Sequence, residues 1–153
     1  MSDIRTIFVD MEHGMDYAIE SMLLANDDGL TTALMLSLFT DRRAGDDDVL
    51  PPGVDDLRGV WMDSYAEVPG DLMGSRLWLL QRAKLLPETV MKVREYCEEA
   101  LDWMVGDGMA KSVQVSTWIE RRTPVGVIGA QIDITKPDGT TTRFKFDKLW
   151  SAM

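Results

Sequence analysis

The feature that most constrains the fold of this chain is an apolar stripe along residues 87–105. Its members recur every three or four residues, which is the spacing of one face of an α-helix. The stripe consists of Val90, Val93, Cys97, Ala100, Leu101 and Met104. The opposite face is polar and carries Lys92, Glu95, Glu99 and Asp102. The pattern therefore predicts an amphipathic helix with a solvated acidic face.

Both ends of this helix carry residues that suit helix termini. Pro87 fits the first helical position, where no backbone N–H donor is needed. Glu88 complements the positive end of the helix dipole. Gly106 and Gly108 provide the flexible stop expected at the other end. We predict a helix from about Pro87 to Val105.

Three strand-like segments follow the helix. They are "SVQVSTWIERR" at 112–122, "PVGVIGAQIDIT" at 124–135 and "TTRFKFDKLW" at 141–150. The "KPDG" sequence at 136–139 is hairpin turn chemistry, so the segments predict an antiparallel meander. The inward-facing set changes phase between Val127 and Ile128, which predicts a bulge at Gly126 or Gly129.

The N-terminal part of the chain predicts a hairpin and a shorter helix. "IRTIFV" at 4–9 is β-branched and aromatic, and a second extended segment runs from Asp16 to about Leu24. "NDDG" at 26–29 supplies turn and capping residues, and "LTTALMLSLFT" after it has helical spacing, although a buried strand is an alternative. The predicted fold class is α+β. It comprises an N-terminal hairpin, two to three helices and a C-terminal three-stranded antiparallel meander in a small mixed sheet, all in a single domain over residues 1–153.

Residues 41–71 form a long segment without periodicity, rich in proline, glycine and aspartate. A structureless connection of this length inside a compact domain usually has a function or packs as an ordered excursion. Trp61 and Tyr65 predict that this excursion packs against the rest of the domain.

Charge and cysteine content exclude several classes of partner and location. The 153 residues include 16 Lys and Arg against 26 Asp and Glu, a net charge of −10. Such a surface repels phosphate backbones and anionic lipids, so we expect neither a nucleic acid nor a membrane partner. Cys97 is the sole cysteine and no segment resembles a signal peptide or membrane span, so we expect folding inside the cell.

The residues that carry enzyme chemistry have no recognisable partners in the sequence. His13 is the sole histidine and lies in a predicted turn, whereas Cys97 lies on the apolar stripe as a small buried hydrophobe. "GVIGA" at 126–130 lacks the strand–turn–helix context of a phosphate-binding loop. The run Asp46, Asp47 and Asp48 lacks EF-hand spacing and is interpreted as a solvated charge run. We therefore predict no catalytic, cofactor or metal site and no enzymatic activity.

Arginine is placed where ion pairs between segments or subunits are expected. Arginines follow the first helix at Arg42 and Arg43 and begin the "RLWLL" run at Arg76. Basic residues of the meander are Arg121, Arg122, Arg143 and Lys145. Arginine forks pair bidentately with carboxylates and tolerate interfaces better than lysine does. Ordinary surface arginines are the alternative. For Arg76 we predict a structural strut or an intersubunit clamp.

Several short blocks then carry a resemblance to a known family. They are "SLFTDRRA", "RGVWMDSY", "GSRLWLL", "PET" before a long helix, and "PDGT" followed by "FKFDKLW". In this order the blocks resemble the small baseplate wedge protein of Mu-like contractile-tailed phages. That family is distantly similar to the sheath-initiating wedge subunit of T-even phages and to the small baseplate subunit of type VI secretion systems. The resemblance runs from about Met15 to Trp150.

Two departures from the family pattern limit what is carried over. Val60 and Met62 stand where the family often has a second tryptophan and a glycine. "VGDG" at 105–108 stands where the more distant relatives carry a Glu-Pro-Arg signature, so that signature's role is not assigned here.

The resemblance implies a virion structural protein of the tail baseplate, assembled in the host cytoplasm in several copies, six being expected. Its implied partners are other wedge subunits and the tail sheath protein, whose assembly it would template. We predict that this occurs by strand augmentation at the meander, about residues 112–148, with or without the N-terminal segment at 4–9. The candidate protein-contact residues are Arg42, Arg43, Trp61, Arg76, Trp78, Trp118, Arg143, Lys145 and Trp150. Two alternatives stay open: a wall-degrading, lysozyme-like hydrolase of the tail, and an acidic adaptor or inhibitor.

Overall fold

The computed structural model describes residues 29–121 and 126–151 in full, and the backbone of six short strands within residues 1–28. These strands are β1 (Asp3–Ile4), β2 (Thr6–Asp10), β3 (Gly14–Tyr17), β4 (Ile19–Glu20), β5 (Leu23–Leu24) and β6 (Asn26–Asp27). His13, predicted to lie in a turn, and Arg122 fall outside the described residues.

The predicted N-terminal hairpin is confirmed, because β2 pairs antiparallel with β3. The predicted second strand is divided, since β4 leaves β3 to pair with β5. The prediction of a turn at residues 26–29 was wrong in its first half, because β6 pairs with β1 at the start of the chain. Pairing with a distant segment has overridden the local turn preference of Asn and Asp, as tertiary context often does in strands.

Helix α1 (Leu30–Phe39) follows, so the helical interpretation of this segment is confirmed over the buried strand. Gly29 is its N-cap with φ +85 and without a side-chain cap, and the Gly29 carbonyl accepts the Ala33 N–H at 2.9 Å. The helix buries Leu34 and Leu38 completely or nearly so and leaves Leu36 38% exposed. It also lies against the N-terminal strands.

Residues 41–71 contain no strand or α-helix, and their one regular element is the 3₁₀ helix Trp61–Tyr65. The two ends of the excursion meet: Arg42 N–H donates to Ser75 O at 3.0 Å, and Ser75 N–H donates to Thr40 O at 2.9 Å.

The excursion packs on the domain as predicted, but Trp61 and Tyr65 do not provide the packing, because they are 74% and 79% exposed. Smaller apolar residues pack it instead, with Ala44 buried and Leu50, Val54 and Leu57 against the core. Hydrophobic character alone does not distinguish core from surface, since folded proteins leave much apolar area exposed.

A second 3₁₀ helix, Leu77–Leu80, is fully buried and leads into helix α2 (Pro87–Gly106). This agrees with the predicted helix to within one residue, and Pro87 occupies its first turn as expected. The buried face carries the predicted stripe except Val90, which is partly buried, and adds Thr89 and Tyr96 to it. Gly108, with φ +74, turns the chain toward the sheet.

The C-terminal meander is confirmed as β7 (Ser112–Glu120), β8 (Val127–Thr135) and β9 (Thr141–Ser151), with β8 central. Residues 136–139 form the predicted turn, in which Lys136 N–H donates to Thr140 O at 2.8 Å and Gly139 has φ +92. The sheet is antiparallel throughout rather than mixed. In the described part of the chain, parallel pairing is limited to an isolated bridge between Asp41 and Ser75.

The predicted bulge is found at Gly129. Ile128 pairs with Trp150 whereas Ala130 pairs with Phe146, so one residue of β8 lies opposite three of β9. Trp118 of β7 lies opposite Gly129, and its indole covers the space that a β-carbon at that position would need. The glycine therefore allows the irregular pairing and the close approach of an aromatic ring.

The core lies between the inner face of the sheet and the helices. Its fully buried members are Leu34, Leu38, Val93, Cys97, Leu101, Met104, Ile128, Ile132, Ile134 and Leu149. β-Branched residues of β8 alternate inward, helix α2 lies against β7, and the stripe of α2 and the inward residues of β8 belong to one core cluster. The opposite face of the sheet is polar.

Cys97 lies within this core and is fully buried, as predicted from its place on the stripe. Burial raises the pKa of its thiol to about 12, with a smaller contribution from Glu98. Only the thiolate is nucleophilic, so we expect no labelling of the native protein by a thiol reagent at pH 8 and complete labelling in denaturant. Rapid labelling of the native chain, followed by mass spectrometry, would contradict this placement.

Candidate protein-contact surfaces

Arg76 joins the excursion to helix α2. Its Nη1 donates to Asp48 Oδ1 at 2.8 Å and its Nε donates to Glu99 Oε2 at 2.9 Å. The guanidinium also lies over the Tyr96 ring, 4.6 Å from the ring centroid. Burial opposes the charge, but the hydrogen bonds to Glu99 and Asp48 outweigh it, so the pKa of Arg76 is raised. Within one chain, Arg76 therefore acts as a strut.

This strut corrects two predictions about acidic residues. Asp46 and Asp47 are solvated as expected, but the Asp48 side chain is only 14% exposed and is bound to Arg76. Glu99, predicted on the solvated face of α2, is likewise partly buried against Arg76. The sequence did not predict these two ion pairs because each joins Arg76 to a residue more than twenty positions away.

Trp78 lies in the core rather than on a surface. It is 4% exposed, and its Nε1 donates to the backbone carbonyl of Arg42 at 2.7 Å. Arg58 covers the ring at 4.5 Å from its centroid and pairs with Asp41 at 2.6 Å. Arg58 has φ +55, an uncommon conformation for a residue with a side chain, and sequence reasoning gave it no role.

Trp150 is likewise internal, at 2% exposure, and its Nε1 donates to Leu80 O at 2.8 Å. Both of these candidate tryptophans thus contact the chain itself, and they would shape a docking surface only from beneath. Arg42 is partly buried, and its backbone hydrogen-bonds to Ser75 and to Trp78. Arg43 is exposed.

The outer face of the sheet brings three other candidates together. Trp118 is half-buried across Gly129, and Lys145 lies 5.9 Å from the Trp118 ring centroid and 3.3 Å from Asp147. Arg143 pairs with Asp133 at 2.8 and 3.4 Å, and its hydrogen bond lowers the pKa of that carboxyl. This face combines a single aromatic with exposed cations.

Trp61 projects from the excursion. Its ring meets Tyr65 edge to face, with centroids 6.0 Å apart, and Met62 and Val68 are 48% and 63% exposed nearby in the chain. Large apolar side chains grouped in this way are typical of protein-contact sites.

A groove with a volume of about 660 Å³ lies between α1, α2 and residues 62–74. The large apolar side chains that line it are Leu36, Met62, Leu72, Met73 and Trp103. Its acidic lining residues are Asp63, Asp71, Glu99, Asp102 and Asp107, against the one cation Arg42. We call this feature the acidic groove.

Sequence reasoning missed Trp103, although one signal was present. Trp103 lies next to the stripe residue Met104 but outside the apolar stripe of α2. It is 39% exposed, and its Nε1 donates to Ser37 Oγ of α1 at 2.9 Å. A tryptophan out of phase with the buried face of an amphipathic helix indicates a second contact surface.

Within 29–121 and 126–151, no group of three His, Cys, Asp or Glu side chains is arranged to hold a metal ion. None of the helices described here is long and apolar enough to cross a membrane.

Comparison with known proteins identifies relatives along the whole chain. A family model described as "Phage protein GP46" matches residues 30–141. The chain is 43% identical over 153 residues to "Baseplate protein gp46" of Escherichia phage Mu, covering 100% of both chains. It is 40% identical over 151 residues to "Mu-like prophage FluMu protein gp46" of Haemophilus influenzae, covering 99% of both.

Proposed function

This chain belongs to the phage protein GP46 family, and we propose that it links the baseplate of a contractile phage tail to the sheath and templates sheath assembly. It is a structural protein of the phage tail baseplate, and its place in the virion is that baseplate. The sheath contact, the role as a wedge subunit and the presence of six copies belong to the proposal.

The observation that carries this proposal is the open edge of β7. All nine residues of β7 pair with β8, and in the described residues no strand pairs with the other side of β7. A strand paired on one side presents a row of N–H and C=O groups to a strand from another chain. Strand addition at such an edge is a recurrent mode of protein recognition.

Strand β7 fits this role better than β9 does. The sequence of β7 carries one charged residue, Glu120, at its end, and its register with β8 is unbroken. Strand β9 carries Arg143, Lys145, Asp147 and Lys148, and its register is interrupted. Charges and irregular pairing are the features that protect edge strands from further pairing, so β9 has the features of a protected edge.

Energetics explain why the junction would operate only on an assembled baseplate. Five or so added backbone hydrogen bonds contribute about 0.5–1.5 kcal/mol each. Association of two free proteins costs roughly 4–15 kcal/mol. One strand is therefore too weak to recruit a free sheath subunit, whereas a ring of fixed strands offers several contacts at high effective concentration.

Proline substitution tests the edge. N–H groups alternate in direction along a strand, so Ser116→Pro and Thr117→Pro remove one donor that faces β8 and one that faces the open edge. The variant that loses only the donor at the open edge keeps its hydrogen bonds to β8 and should fold normally. Baseplates assembled with this variant should fail to nucleate full-length sheaths from purified sheath protein, as counted by electron microscopy. Thr142→Pro and Arg143→Pro are the corresponding variants in β9. Baseplates that contain whichever of these two variants folds normally should still nucleate full-length sheaths.

Normal nucleation by the folded β7 variant would exclude β7 as the template. Loss of nucleation with the folded β9 variant instead would move the junction to the other edge. A complex in which sheath subunits contact this chain through side chains alone would reject strand augmentation altogether.

The proposal assigns the chain no enzymatic step. The relative from phage Mu is named a baseplate protein. Among the candidate residues, Arg76 binds Glu99 and Trp78 binds the backbone carbonyl of Arg42, which are structural contacts. Turnover of peptidoglycan by the purified chain would favour the wall-degrading alternative.

A further inference from the structure

We propose that the acidic groove receives an amphipathic segment rich in Lys and Arg from another baseplate subunit, a partner distinct from the sheath. This inference rests on the baseplate role and adds to it a second contact surface, which no residue of β7 lines.

The apolar floor of the groove is exposed and preorganised. Leu36, Met62 and Trp103 are 38%, 48% and 39% exposed and come from three separate elements. The Trp103 indole is held by Ser37 Oγ at 2.9 Å, and that hydroxyl donates to Ala33 O at 2.7 Å. A ring fixed in this way loses little freedom on binding, and tryptophan is enriched among residues that dominate interfaces.

The charges of the groove determine the chemistry of its occupant. Asp71, Asp102 and Asp107 are exposed, and in the described part of the chain none of them forms an ion pair. Asp63 uses Oδ1 to accept the Met73 N–H at 3.0 Å, but its Oδ2 is buried without a hydrogen-bond partner. The local potential is therefore negative, and a cationic segment is the complementary occupant.

The position of two of these acids disfavours a purely structural role. Asp102 lies near the end of α2 and Asp107 is its C-cap, and the last turn has no basic residue. The helix dipole places negative potential at this end, so acids there destabilise the helix and cations would stabilise it. A feature that costs stability at a surface groove is typical of a binding site.

Other occupants fit less well. A phosphate-bearing ligand would meet carboxylates on the groove walls. A second copy of this chain carries a net charge of −10 and would meet like charge. An amphipathic helix or strand lays apolar residues on an apolar floor and its cations along the rim, which is a common mode of groove recognition.

Charge reversal tests the proposal without weakening the fold. Asp102→Lys with Asp107→Lys should leave the melting temperature unchanged or raise it, because the helix dipole favours cations there. The matched control is Asp46→Lys with Asp55→Lys, which changes the net charge equally at exposed acids outside the groove. The other baseplate proteins of the same phage are purified one at a time. The binding of each to the wild type and to both variants is then measured.

We expect the wild type and the control to bind one of these proteins, and the groove variant to bind it at least about tenfold more weakly. Wild-type binding should weaken as salt rises. Equal binding by the groove variant, or no binding to any baseplate protein by the wild type, would overturn the inference. Loss of binding by the control as well as the groove variant would show a nonspecific charge effect and overturn it too.

A photocrosslinking residue at position 36 in assembled baseplates identifies the occupant directly. The expected product joins position 36 to a Lys- or Arg-rich segment of another subunit. Position 91, an exposed methionine on the same helix as Trp103 but outside the groove, should not give that product. A crosslink to a second copy of this chain, or to none, would reject the inference. Mass spectrometry of the same baseplates tests separately whether the chain is present there at all.

Discussion

Replacing Gly74 by alanine is expected to lower the free energy of unfolding by about 2–5 kcal/mol. Gly74 has φ +97, and an added β-carbon would lie 2.8 Å from Thr40 C and 3.1 Å from Arg42 N, with Thr40 O closer still. A left-handed backbone costs an alanine about 1–2 kcal/mol, and overpacking against a rigid neighbour costs about 1–3 kcal/mol more. Urea unfolding followed by circular dichroism measures the loss.

Gly70 is the matched control for this substitution. It has φ +84, but an added β-carbon would meet nothing within 4 Å. Gly70→Ala should therefore show only the conformational cost of about 1–2 kcal/mol. Equal losses in the two variants would mean that the close approach of Gly74 to the backbone at residues 40–42 has no energetic role.

Replacing Arg76 by alanine should lower the free energy of unfolding by about 2–3 kcal/mol. The substitution removes two charge-assisted hydrogen bonds, each of about 1.5–3 kcal/mol, and partial exposure of the arginine reduces their sum. It also leaves Asp48 and Glu99 without their partner and removes the cation from the Tyr96 ring. Under the proposed function, baseplate assembly should fall with it, because the excursion is no longer held to α2.

Two further variants separate the strut from a general charge effect. Arg94→Ala removes an exposed pair with Glu98 on the same helix and should cost about 0.3–0.5 kcal/mol. Neutralising the partners with Asp48→Asn and Glu99→Gln should recover part of the loss in the Arg76→Ala chain, because no unpaired charge remains. If Arg76→Ala altered neither stability nor assembly, the strut would have no support.

The elements predicted best from the sequence are those with local, repeated signals. The stripe of α2 predicts a helix because its period continues over about four turns, and proline and glycine mark the helix ends. The meander was predicted equally well, because alternation of apolar and polar residues, a Pro-Asp-Gly turn and a bulge glycine are all short-range features. The N-terminal strands were predicted less well, because β6 pairs with β1 across more than twenty residues.

The contact surfaces were predicted only in part. Among the candidate tryptophans, Trp78 and Trp150 are buried whereas Trp61 is exposed, and aromatic residues suit either environment. The acidic groove needs Leu36, Met62 and Trp103 together, and no local pattern joins three elements so far apart in the chain. Its one sequence signal was the out-of-phase tryptophan of α2.

The meeting of residues 40–42 with Ser75 also bears on how members of this family could diversify. Because the excursion leaves and re-enters the domain at one point, its length can change at low entropic cost and without moving either helix. The exposed segment from Trp61 to Val68 can therefore differ between relatives in its surface residues, while Ala44, Leu50, Val54 and Leu57 keep the rest of the excursion packed on the core.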